Sequence, residues 1–108
     1  MTRLSVLLRP ADGAVPAGAT AVIIDVLRAT TTLSVALDRG AARVVPVATP
    51  DEAFMRRAAL PGALACGERG GVKIAGFDLG NSPLEYTRDA VAGRTLVFAS
   101  TNGAAAML

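Results

Sequence analysis

Residues 21–40 read AVIIDVLRATTTLSVALDRG, and they hold the pattern on which the fold class turns. Ala21 to Val26 is an apolar run interrupted only by Asp25, the pattern of a strand covered on both faces. A helix is then expected from near Thr30. Its apolar stripe would be Leu33, Ala36 and Leu37, with Gly40 as the carboxyl-terminal stop. A strand that passes directly into a helix is one half of a strand–helix–strand unit, the building block of α/β folds.

The same alternation continues in both directions from this run. Leu4 to Leu8 has the pattern of a short first strand, and Arg9 to Ala19 is a loop marked by Pro10, Asp12, Gly13, Pro16 and Gly18. Val44 to Val47 is a further strand, with Pro46 indicating an edge or a bulge. Thr49-Pro50-Asp51-Glu52 is a helix start in which threonine caps, proline fits the first turn and Glu52 reaches back to the cap amide, and the helix runs to about Leu60. Ala63 to Cys66 is a short strand and Gly67 to Asn81 a long glycine-rich connection. Ser82-Pro83-Leu84-Glu85 opens a helix to about Val91, Thr95 to Ala99 is a strand, and Ser100-Thr101-Asn102-Gly103 begins a last helix. The expected architecture is a single α/β domain over residues 1–108, three-layered α/β/α with a mainly parallel or mixed sheet. Because Ala104 to Leu108 carry no helix stop, the sheet is expected to be incomplete at its carboxyl end, as in the amino-terminal part of a longer domain.

Composition removes several function classes. The 108 residues contain no histidine, so histidine triads, histidine metal ligands and a histidine base are excluded. A net charge of +2 with dispersed arginines implies no nucleic-acid partner. No apolar run approaches the ~20 residues of a membrane span, and the opening residues lack a secretory pattern. The single cysteine, Cys66, fits a reducing compartment, hence a cytoplasmic location, and its expected role is that of a small buried residue. A homo-oligomer is compatible with this composition.

In a parallel sheet, ligands bind beyond the carboxyl ends of the strands, where the following helices direct their amino ends. Three polar clusters are expected on that edge: Asp25 to Thr32, Gly67 to Gly71 continuing to Asn81-Ser82, and Ser100 to Gly103. There, amides, hydroxyls and helix dipoles can gather around a small phosphorylated anion. Asp25, at a strand terminus, is a candidate magnesium ligand, with helix capping or pairing to Arg28 as the competing reading. Arg28 and Arg69 can grip an anion bidentately and Lys73 as a point charge, against a surface salt-bridge role for each. Thr30, Thr31 and Thr32 are poor residues for a helix interior, and so are candidates for cap and ligand hydroxyls. Glu68 and Asp78 could complete a metal site or act as acid and base, or could be solvated loop charges. Asn81, Ser82, Thr101 and Asn102 combine capping with substrate binding. Other phosphate chemistries fail on spacing: there is no P-loop, no Gly-x-Gly-x-x-Gly turn, no second aspartate two residues after Asp25, and no phosphatase-loop arginine after Cys66.

With IDVLRATTT at 24–32, GERGG at 67–71, GFDLGNSP at 76–83 and STNG at 100–103, the chain resembles the 2-phosphosulfolactate phosphatase (ComB) family. The resemblance implies a magnesium-dependent hydrolase that converts (2R)-2-phospho-3-sulfolactate to 3-sulfolactate and phosphate on the route to coenzyme M. Arg28, Arg69 and the threonine-rich helix start would meet the substrate, and Asp25 with Glu68 or Asp78 would hold the metal. Members of that family are longer, and many continue the last motif with a hydroxyl residue where this chain has Ala104. Two other readings fit the same clusters: a phosphatase or phosphotransferase for another small phosphoacid, and an anion-binding module without turnover.

Overall fold

A computed structural model of the chain describes residues 2–108. Its regular elements are α1 (Ala29–Asp38), β1 (Arg43–Pro46), α2 (Pro50–Ala59), β2 (Leu64–Arg69), β3 (Val72–Lys73), α3 (Arg88–Val91), β4 (Thr95–Ala99) and α4 (Gly103–Met107). The strands form an open four-stranded sheet in the order β1-β4-β2-β3. β4 runs parallel to β1 and to β2, and β3 is antiparallel to β2, so the sheet is mixed and the fold is α/β.

Thr-Leu-Val-Phe-Ala makes β4 the centre because it is apolar on both faces. Leu96 and Phe98 pack with Ala29, Leu33 and Ala36 of α1 and with Tyr86 and Val91. Val97 and Ala99 point the other way, toward Ala53 of α2, Val47, Ala65 and Phe77. These two clusters make the three layers. Full burial of each Leu, Val or Phe is worth about 1.5–3 kcal/mol, so this strand concentrates much of the apolar stabilisation.

Helix ends follow their local chemistry. Thr49 Oγ accepts the Glu52 amide at 3.1 Å, and Asp51 and Glu52 occupy the positive first turn of α2. Glu52 reaches back one residue further than expected, to the Ala48 amide at 3.2 Å. α1 ends before Gly40 at φ +96°, the left-handed conformation that stops a helix. Pro46 lies in β1, an edge strand bonded only through β4, where its missing N–H costs no ladder bond.

Five expectations are corrected. Leu4 to Leu8 and Ala21 to Val26 are not strands: among the described residues neither joins a ladder, and Leu4, Leu8, Val22 and Ile24 are exposed. An apolar run becomes a strand only when a neighbouring chain satisfies its N–H and C=O groups. The glycine-rich connection begins as a hairpin, since β2 extends to Arg69 and turns at Gly70-Gly71, φ +61° and +84°, into β3. Two consecutive residues of positive φ make the turn that a tight hairpin favours. The helix from Ser82 is divided into a 3-10 turn, Pro83–Glu85, and α3, because Tyr86 turns inward to donate to the Gly80 carbonyl and Thr87 caps afresh with its hydroxyl on the Ala90 amide. Leu37, assigned to the apolar stripe, is exposed, while Ala29, Thr32, Leu33 and Ala36 form the buried face of α1.

Gly67, in β2 opposite Ala99, has φ +131°, and a Cβ there would collide with the Ala99 carbonyl oxygen. Gly67→Ala is therefore expected to lower the stability measured by denaturant unfolding by about 2–4 kcal/mol, through strain and overpacking together.

Candidate functional site

Parallel pairing of β2 and β4 brings their carboxyl ends to one edge, and the segment leading into α1 joins them there. Asp25, Arg28, Glu68, Asn81, Thr101 and Asn102, with Leu27 and the Gly70-Gly71 turn, line a cleft of about 290 Å³. All three expected clusters thus contribute to one pocket.

The approach of α1 to the 100–103 turn needs small residues. A Cβ on Gly103 would collide with Ala29 and come within 3.2 Å of Asp25 Oδ2 and of Ser100 Oγ. Ser100 Oγ accepts the Ala104 amide at 2.8 Å, which anchors the start of α4.

Asp25 is held by its backbone. Its N–H donates to Thr30 Oγ at 2.9 Å, and its carbonyl accepts from the Thr30 hydroxyl at 2.8 Å and the Thr30 amide at 3.1 Å. Its carboxylate has no hydrogen-bond or ion-pair partner among the described residues, Arg28 included, and the residue lines the cleft. Arg28 Nη2 donates to the Gly71 carbonyl at 3.2 Å, leaving the rest of its guanidinium donors for an anion. Asn81 is 7% exposed, and its Oδ1 is a buried acceptor without a partner among the described residues.

Glu68 is 6% exposed at the end of β2. Oε1 accepts the Thr101 amide at 2.7 Å, and Oε2 accepts the Gly71 amide at 2.7 Å and the Thr101 hydroxyl at 3.2 Å. Desolvation pushes its carboxyl up, but the bonds from Thr101 and Gly71, with the Arg28 charge, outweigh it and hold the group below the ordinary 4.5.

Other candidates lie elsewhere. The hydroxyls of Thr30, Thr31 and Thr32 do not line the cleft: they donate to the carbonyls of Asp25, Val26 and Asn81, so they brace its walls. Asp78 is drawn away by Arg57 at 3.1 Å and by the Ala65 amide at 2.8 Å. It therefore does not join Asp25 and Glu68, and no group of three or more metal-binding side chains forms among the described residues. Arg69 and Lys73 are exposed outside the cleft wall, and Ser82 precedes the 3-10 turn, where its amide donates to Glu85. Cys66 is fully buried; desolvation, partly offset by a hydrogen bond with Tyr86 and reinforced by the charges of Asp78 and Glu85, pushes its thiol up to about 12. That leaves a neutral thiol at physiological pH, unsuited to nucleophilic attack. Leu27 and Gly70-Gly71 lie within the expected clusters, but the hairpin that brings the two glycines to the cleft is not in the sequence reading, although a Gly-Gly pair between short strands is itself a hairpin signal.

For a divalent cation, the fitting oxygens are the unpaired Asp25 carboxylate and the partnerless Asn81 Oδ1. Both are hard donors, and magnesium commonly needs only one or two protein carboxylates beside waters and substrate phosphate. The donor set fits such an ion without Asp78.

A family model described as 2-phosphosulpholactate phosphatase matches residues 8–108. Among similar proteins, the probable 2-phosphosulfolactate phosphatase of Thermotoga petrophila is 55% identical over 84 residues, 78% of this chain and 36% of that protein. The protein of the same name from Carboxydothermus hydrogenoformans is 54% identical over 82 residues, 76% of this chain and 34% of its own length. A third, from Symbiobacterium thermophilum, is 52% identical over 93 residues, 84% of this chain and 40% of that protein. The chain spans between 34% and 40% of the length of these curated relatives.

The titrating groups lead to two expected outcomes. A carboxylate whose folded value is depressed stabilises the fold above its ordinary value and loses that contribution as pH falls through the folded one. Glu68→Gln should therefore be less stable than the unsubstituted protein by about 1–3 kcal/mol at neutral pH, with the gap closing well below pH 4.5 in denaturant titrations. Cys66 should resist a thiol-reactive disulfide reagent at neutral pH in the folded protein and react fully once it is unfolded, as followed by absorbance.

Proposed function

The chain belongs to the 2-phosphosulfolactate phosphatase family, and on that premise we propose that its cleft serves hydrolysis of (2R)-2-phospho-3-sulfolactate to 3-sulfolactate and inorganic phosphate. One observation carries this reading: Asp25, Arg28, Asn81, Thr101 and Asn102, from distant parts of the sequence, line a single cleft of small-molecule size. In the reaction a water oxygen bonds to phosphorus, the bond from phosphorus to the C2 oxygen breaks, and the leaving oxygen takes up a proton.

Arg28 binds the anionic end of the substrate with the guanidinium donors that Gly71 does not use. Asp25, its carboxylate unengaged and its backbone pinned by Thr30, faces the phosphoryl group. Asn102 offers polar contacts to the sulfonate or carboxylate, while the Thr101 hydroxyl is engaged by Glu68 and the Gly70 amide. Magnesium, held by Asp25 and the Asn81 amide oxygen, would neutralise phosphoryl charge and orient the attacking water when bound. We assign the product to the route toward coenzyme M. The lone buried thiol suits a cytoplasmic setting.

The test is phosphate release from phosphosulfolactate by the protein that carries this sequence, with magnesium and with a chelator. Asp25→Asn is expected to lower kcat by about 10²–10⁴-fold, and Arg28→Ala to raise KM by about tenfold or more. Undiminished turnover in Asp25→Asn would remove that residue from the reaction. Faster release from a different phosphoacid in a panel would reassign the substrate.

A further inference from the structure

We propose that Glu68 is a positioning residue for anion binding, which sets the Arg28 guanidinium in place through the Gly70-Gly71 turn without meeting the substrate. This inference rests on the reading of the cleft as a phosphoacid site. Gly71 is held from two sides. Its N–H donates to Glu68 Oε2 at 2.7 Å, and its carbonyl accepts Arg28 Nη2 at 3.2 Å. Thr101 completes the frame, with its amide on Glu68 Oε1 and its hydroxyl between Glu68 Oε2 and the Gly70 amide.

A turn of two glycines, with φ of +61° and +84°, has no side chain to pack and the greatest backbone freedom to lose. Its position has to be imposed by neighbours. Glu68 does this from the rigid end of β2 and links the turn to the residues beyond β4. Arg28 is a long side chain that heads α1, and its hydrogen bond is to the turn that Glu68 holds. The carboxylate is thus committed to three donors that favour its ionised form, which is poor preparation for proton transfer and good preparation for fixing geometry.

The experiment is a double-mutant cycle on the intact protein. Glu68→Gln keeps the shape but turns one end into an NH₂ group, which opposes either the Gly71 or the Thr101 donors. Expected is a rise of about tenfold in KM for phosphosulfolactate with kcat changed less than about threefold. In an Arg28→Ala background the same substitution should add less than about twofold, because its route of action is already gone. Thr101→Val, which replaces the hydroxyl by a methyl group and keeps the Thr101 amide on Glu68, should shift KM in the same direction by less, and guards against a folding defect in Glu68→Gln. Independently of turnover, nitrogen NMR of labelled arginine should show restricted Arg28 Nη rotation in the unsubstituted protein and faster rotation in Glu68→Gln. A fall in kcat at constant KM, fully multiplicative losses, or an unchanged Arg28 signal would overturn the proposal. Absence of phosphate release from the unsubstituted protein would instead sink the phosphatase reading, while the arginine signal would still decide the positioning role.

Discussion

β4 has a strand on each side and a packed layer on each face, so its side chains and its ladder groups are committed at once. That double commitment is the constraint on which the rest of the molecule depends. Strands β1 and β2 are parallel to it, so their connections must cross a face of the sheet, and helices occupy those crossings. Their carboxyl ends then emerge together. Gly67 shows how close the fit is: β2 approaches β4 at a point where the carbonyl of Ala99 leaves no room for a side chain.

Once that edge is defined, the pocket is made by the residues just beyond each strand. The end of β2 carries the Glu68 carboxylate and a two-glycine turn follows it; after β4 come hydroxyl and amide residues; the segment leading into α1 brings Asp25 and Arg28 to the same place. The polar groups there divide by how they are satisfied. Glu68 is saturated by donors and serves as part of the frame, whereas the Asp25 carboxylate and Asn81 Oδ1 are left without partners among the described residues. Unsatisfied polar groups in a buried or half-buried wall are costly. Their retention at the cleft accords with a polar or cationic guest supplying the partners that the chain does not.

Side chains that resemble one another on paper therefore have different fates. Asp78 and Glu68 both flank the glycine-rich region, yet Asp78 bridges Arg57 and the Ala65 amide on the α2 side of the sheet. The three consecutive threonines likewise spend their hydroxyl hydrogens on the backbone, with Thr32 fully buried and bonded to the Asn81 carbonyl. Their contribution is to join α1 to the segments that carry Asp25 and Asn81.

The amino-acid sequence by itself determined the α/β class, the starts of α1 and α2, the β4 strand, and the three polar clusters from which the cleft is built. The helix starts and stops are local, since a cap or a left-handed glycine is satisfied within a few residues of its own position, and β4 is legible because its run is apolar on both faces. Only the tertiary structure decided that Leu4 to Leu8 and Ala21 to Val26 stay outside the ladder, that Tyr86 breaks the helix begun at Pro83, and that Asp78 leaves the pocket. Each of those outcomes depends on a hydrogen-bond or charge partner from a different element or connecting segment of the fold. Such a partner becomes available only when the chain closes on itself, and spacing along the chain does not encode it.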